Sequence, residues 1–127
     1  MAALNLVSDL LALFPELEPE YLEDLKLFGP EYSLQLHSVF GQLLNPYLFS
    51  LLQQDDWLSE PKLPQIFDFI ETLSNSGNPE AEELVVVTIC ERLGDNFEVL
   101  RRARHLMGPK TFEFSRNTEI GWGREDP

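Results

Sequence analysis

Cysteine is nearly absent from this chain. Cys90 stands alone, so no intrachain disulfide can form, and its place inside the most apolar stretch makes it a small core residue of a protein kept in a reducing compartment. Histidine is as scarce, with His37 and His105 only. There is no His-Glu-x-x-His and no paired-cysteine spacing, so no metal or other cofactor is expected. Gly-rich loops that cradle phosphate are missing too, because the glycines fall mostly where helices end. No apolar run approaches the ~18 residues needed to cross a bilayer, and no basic segment precedes a secretory apolar region at the start. A cytoplasmic protein outside the membrane is the expectation. Cations are rare before Arg92: Lys26 and Lys62 face sixteen Asp and Glu, a balance of −14, while from Arg92 onward seven Lys and Arg face six acids, so the net −13 belongs to the first three-quarters of the chain. Such a field disfavours nucleic acid and anionic lipid, which need a positive footprint. It favours a basic protein partner, with solubility alone as the plain alternative.

Against these absences stands ample apolar material. In 127 residues, 43% are hydrophobic and nine are Phe, enough to offset chain entropy and build one domain without staples. The densest stretch is Leu84-Val85-Val86-Val87-Thr88-Ile89-Cys90. Its β-branched content suits a buried strand or a buried helix, and the flanks decide between them. Asn78 is a good N-cap, Pro79 suits the first helical position, and Glu80, Glu82 and Glu83 complement unpaired N–H groups. Arg92 stands in the last turn and Gly94 reads as the C′ residue. A helix over about 79–93 follows. Being apolar nearly all round, it should be covered on most sides.

Other segments repeat the helical period. An amphipathic helix from Asn5 is stopped by Pro15. A second carries Tyr21, Leu22, Leu25 and Phe28 on one face and ends at Gly29-Pro30, leaving Glu20, Glu23 and Asp24 facing away. The pattern resumes from Ser33 to Gln54, where Pro46 should impose a kink or divide two abutting helices. Leu63, Ile66, Phe67, Ile70 and Leu73 form the next stripe. Beyond Gly94, Asp95 with Glu98 resembles a capping box before a helix with Phe97, Leu100, Ala103, Leu106 and Met107 inward. A last helix to about Thr118 should turn Phe112 to the core, with Phe114 and Ile120 as further inward candidates. No strand alternation or hairpin signal occurs. The expected fold is all-α: a single compact domain over 1–120, of about six to eight helices stacked as antiparallel hairpins around the buried helix at about 79–93, with residues 121–127 a frayed tail.

No constellation points to catalysis, and a non-enzymatic role is expected. Cys90 lacks a base and exposure; His105 suits helix-terminal carbonyls and His37 a structural hydrogen bond. Asp68 with Glu71, three apart on the solvent face of a helix, and Asp55 with Asp56 can be read as cation ligands or as a solvated acidic face, the second being the default. What remains is a surface for a protein partner: Asp55, Asp56, Trp57, Glu60, Asp68 and Glu71, joined by Glu80, Glu82 and Glu83 if the loop before Pro61 and the start of the 79–93 helix share one side. Trp57 and Phe69, off the main stripes, are candidate apolar hot spots or core residues. A further acidic cluster comprises Glu16, Glu18, Glu20, Glu23 and Asp24.

Several stretches carry a resemblance: Phe14-Pro15-Glu16-Leu17 followed by Tyr21, His37-Ser38-Val39-Phe40-Gly41, Asn45-Pro46-Tyr47-Leu48, Ile66-Phe67-Asp68-Phe69-Ile70-Glu71 and Met107-Gly108-Pro109-Lys110-Thr111. Together, up to about Ser115, the chain resembles a bacterial domain-of-unknown-function family of small acidic helical proteins associated with polymorphic toxin loci. Gln42 stands where that family often has an acid. The resemblance implies an all-helical cytoplasmic immunity protein that binds and neutralises a cognate toxin, and supplies no catalytic residue. An acidic face covering a basic toxin site is the leading reading. A helical scaffold or adaptor, docking a peptide or dimerising through an apolar groove near Trp57 or Trp122, is the alternative, and monomer and homodimer both stay open.

Overall fold

A computed structural model describes residues 5–126. Among them are seven helices and no strand, as the periodicity predicts. They are α1 (Leu6–Leu13), α2 (Glu18–Phe28), α3 (Leu36–Val39, Phe40–Leu44 and Asn45–Leu52, without a break), α4 (Lys62–Ser74), α5 (Pro79–Glu83, Leu84–Cys90 and Glu91–Leu93, again unbroken), α6 (Phe97–Leu106) and α7 (Pro109–Gly121). Short 3-10 turns at Pro15–Leu17, Pro30–Leu34 and Trp57–Ser59 connect them. No helix is long and apolar enough to cross a membrane among these residues. The chain divides into two compact units, Met1–Pro46 and Tyr47–Pro127.

In the first unit, Asn5 caps α1 by accepting the Ser8 N–H at 2.9 Å. Leu6, Val7, Leu10, Phe14 and Leu17 are buried, and α1 packs on the start of α3. Gly29 ends α2 with φ +91°, a left-handed conformation that side chains with a Cβ avoid. Pro46 does not divide its helix. The turn before it widens to i→i+5 bonding over Phe40–Leu44, with the Asn45 N–H on the Phe40 carbonyl. Such a turn gives room to a proline ring that would otherwise strike the carbonyl four residues back.

The second unit is built around α5, which lies against α4 and α7, while α6 packs on α4 and on the last turn of α5. Asn78 caps α5 through the Glu80 and Ala81 amides, at 2.9 and 3.2 Å. The β-branched run then widens to i→i+5 bonding over Leu84–Cys90, with the Glu91 N–H on the Val86 carbonyl. This brings residues five apart nearer to one face than an α-helical turn does. Leu84 with Ile89 and Val85 with Cys90 are all buried, whereas Val87 is 46% exposed and Val86 and Thr88 are half-buried. The expectation of cover on most sides is therefore corrected: the wide turn gathers a uniformly apolar sequence onto one buried face.

Further expectations change in the second half of the chain. Gly94 is not a left-handed C′ residue, since its φ is −70°; a Cβ there would fall onto the Glu119 carboxylate and the Arg124 guanidinium. The α6 cap is Asn96, whose Oδ1 accepts the Val99 N–H at 3.1 Å, and Phe97 is 79% exposed rather than inward. Helix α7 runs to Gly121 and buries Thr111, Ser115, Thr118 and Glu119, leaving Phe112 40% exposed. Its inner face is polar because α4, α6 and the segment after α7 supply the partners described below. The one-sided burial of α5 is checked by denaturant unfolding: Ile89→Ala should cost about 2–5 kcal/mol and Val87→Ala under about 1.

Candidate functional site

Trp57 opens the α3–α4 connection, and the structure turns it inward. It is 9% exposed, with the Arg102 guanidinium 5.4 Å from its ring centroid and His105 edge-on at 5.7 Å. Arg102 is itself held by the Leu52 and Gln54 carbonyls at 2.7 and 3.1 Å and by Glu98 at 3.1 Å. The tryptophan thus anchors its loop, and the residue left outside is Leu58, 66% exposed. Phe69 is buried, in keeping with its core reading.

Glu71 is the acid whose position differs most from a solvated face. Its carboxylate reaches the start of α7 and accepts the Lys110 N–H at 3.0 Å, the Thr111 N–H at 2.9 Å and the Thr111 hydroxyl at 2.8 Å. Asn75 donates at 2.9 Å to the same oxygen, Oε2, that takes the Lys110 N–H. A carboxylate on free helix N–H groups is favoured by both hydrogen bonding and the helix dipole. Partial burial opposes its charge, but the Thr111 and Lys110 amides, then the Thr111 hydroxyl and Asn75, outweigh that and hold its pKa below the ordinary carboxylate value. Ser74 extends the seam, sharing a 2.9 Å hydrogen bond with Thr111. Gly108 completes it, since a Cβ there would collide with the Glu71 carboxyl carbon and Cγ.

The cations after Glu91 are consumed in the same way. Arg92, Arg101, Arg102, Arg104, Lys110, Arg116 and Arg124 each lie within 4.0 Å of a carboxylate. Glu98 serves both Arg101 and Arg102, whose hydrogen bonds lower its pKa to about 2. Arg104 donates to Ser115 at 3.1 Å and sits 2.7 Å from Glu125, which also takes Arg116 at 3.2 Å. Arg124 grips the buried Glu119 through two 2.8 Å bonds and lies 3.5 Å from Asp95. These pairs, with the Arg124 N–H on the Glu119 carbonyl, tie the stretch after α7, while Trp122 stays 61% exposed. The row Arg101, Arg102 and Arg104 is in this way engaged internally.

The remaining sequence-selected acids separate into two places. Asp55 and Asp56 are exposed in the loop before α4, and Glu60, half-buried, turns its carboxylate to the Lys62 N–H at 2.9 Å. Asp68 is exposed along α4; Glu80 and Glu83 are exposed and Glu82 half-buried in the first turn of α5. The whole length of α4, roughly 20 Å at 1.5 Å per residue, separates Glu60 from Glu80. The condition for merging the two clusters is not met, because the short 75–78 turn begins α5 at the far end of α4. Asp55, Asp56, Asp68 and Glu80 have no ion pair among the described residues.

No group of three or more His, Cys, Asp or Glu that could hold a metal ion occurs among the described residues. The Cys90 thiol, pushed up to about 12 by burial, stays protonated at neutral pH. The model of the family described as "Domain of unknown function (DUF7674)" matches residues 7–123. The chain belongs to the DUF7674 family. No curated protein and no solved structure matches it. In this DUF7674 chain the unrecognised participants are Thr111, Ser115, Glu119, Arg104, Arg124 and Glu125. Thr111, Ser115 and Glu119 recur every four residues, a stripe that reads equally well as a solvent face.

Glu71→Ala should lower stability by about 1–2 kcal/mol at neutral pH in urea unfolding. A depressed carboxylate pKa gives stability that is complete above the ordinary carboxylate range and is lost as pH falls through it, so the variant should also lose less stability on acidification. Gly108→Ala, at an ordinary φ of −72°, should destabilise the wild type but cost less in the Glu71→Ala background, a coupling that a double-mutant cycle reads directly.

Proposed function

We propose that this DUF7674 protein is a non-enzymatic immunity-type inhibitor that binds a basic toxin domain through the acidic surface of its 47–127 unit. The observation that carries the reading is the unequal use of charge. Residues 47–91 hold nine acids against Lys62, a balance of −8, and residues 92–127 hold seven cations against six acids. With those cations drawn into internal pairs, Asp55, Asp56, Asp68 and Glu80 face water without a counter-charge among the described residues. A polyanionic surface of this kind imitates the phosphates that a nuclease-type toxin grips, steers the toxin by long-range attraction and occupies its site. Glu82, Glu83 and Glu60 add to the field, whereas Glu71 and Trp57 support the scaffold from within.

The reading is tested by isothermal calorimetry with the effector domain encoded beside the gene. Binding should weaken strongly between roughly 50 and 500 mM salt, and the triple variant Asp55→Lys, Asp56→Lys, Asp68→Lys should associate about tenfold or more slowly. Absence of binding, or indifference to both salt and charge reversal, would remove it.

A further inference from the structure

Among the described residues, α2 is the one helix with no buried residue, although Tyr21, Leu22, Leu25, Leu27 and Phe28 are nearly half of its length. Leu22 and Phe28 are 48% and 50% exposed, and Tyr21 and Leu25 are half-buried. Tyr21, Leu25 and Phe28, at i, i+4 and i+7, line one face with Leu22 beside them. A helix with a stripe of this kind ordinarily buries it against a neighbour. Here the stripe borders a groove of about 420 Å³ lined by Tyr21, Leu25, Lys26, Pro30 and Ser33.

The groove is built from below. Tyr32, 1% exposed, sets its ring 6.0 Å from that of Tyr21 and 5.4 Å from that of Phe28. Its hydroxyl donates to Asp24 Oδ2 at 2.9 Å, linking the Pro30–Leu34 turn to α2. Burial, and then the Asp24 carboxylate, raise the Tyr32 pKa, so this link is intact throughout the neutral range. The apolar stripe is thus presented on a braced support.

Charge selects the occupant. The Met1–Pro46 unit carries seven acids against Lys26, a balance of −6. Glu18 and Glu31 are exposed beside the stripe, Glu20 and Glu23 are exposed on the side of α2 away from it, and Lys26, which lines the groove, lies 4.0 Å from Glu23. Two copies of such a face repel one another, and anionic lipid and nucleic acid are repelled likewise. An apolar strip flanked by cations matches both the groove and its rim, as in helix-in-groove recognition.

We propose that the groove between α2 and the Pro30–Leu34 turn docks a basic amphipathic helix of a partner protein. This surface is distinct from Asp55, Asp56 and Asp68 and does not rest on the toxin reading.

The test uses the full chain and a fluorescent ~18-residue Leu/Lys peptide with helical periodicity, beside a scrambled peptide of equal composition, by fluorescence anisotropy. The periodic peptide should bind with a Kd of roughly 10 µM or tighter, and the scrambled one about tenfold more weakly. Leu22→Ser should weaken binding at least about threefold and Glu18→Lys with Glu31→Lys about tenfold, without moving the Tm, whereas Asp55→Lys with Asp56→Lys should leave it unchanged. No binding, equal binding of the scrambled peptide, or indifference to the α2 variants overturns the proposal. A dimer in sedimentation that Leu22→Ser dissociates also overturns it, by making a second copy the occupant.

Discussion

The carboxylate of Glu71 on the first amides of α7 is the interaction on which the second unit turns. Helix α7 lies along the apolar middle of α5 with a polar side inward. Every buried donor and acceptor on that side must then find a partner or carry a desolvation penalty of kilocalories. Glu71 and Ser74 serve Thr111, Arg104 serves Ser115, and Arg124 serves Glu119. The glycines at 94 and 108 let these carboxylates approach the backbone. Packing and polar pairing are one constraint here, since an α7 displaced by a turn would leave several buried groups without partners.

The same constraint shapes the electrostatics. Cations are few, and those after Glu91 are engaged around α6 and α7. Most of these pairs are partly solvated and contribute modestly to stability one by one. Their collective effect is to remove positive charge from the outer field. Acids earlier in the chain have no comparable supply of cations, so the field they set up outside is negative. The two compact units use acidity differently. In one, carboxylates flank a partly exposed apolar stripe; in the other, they stand along a loop, the outer side of α4 and the first turn of α5.

The wide turns in α3 and α5 show how local chemistry and packing meet. At Pro46 the widened turn keeps a helix continuous through a residue that lacks a donor. In α5 it converts an apolar run into one buried face made of Leu84, Val85, Ile89 and Cys90. Both features depend on residue content that reads in sequence as ordinary helix, because the 3.6 and the wider periods diverge too little over five to seven residues to be told apart.

The sequence alone determined the all-helical class, the cap at Asn78, the stop at Gly29-Pro30, the core character of Cys90 and the acidic balance. Each is a local property: side-chain reach to the nearest amides, backbone freedom, or a count of charges. It also marked Trp57 as hot spot or core residue and Glu71 as notable, and mistook the setting of Glu71, because an acid three residues from another on a helix looks solvated until a distant helix end arrives beside it. Only the tertiary structure decided that α7 faces inward with Thr111, Ser115 and Glu119, that Arg102 covers Trp57, and that no residue of α2 is fully buried. Those outcomes depend on partners tens of residues away in the chain, and a stripe of polar or apolar side chains does not by itself state which neighbour will meet it.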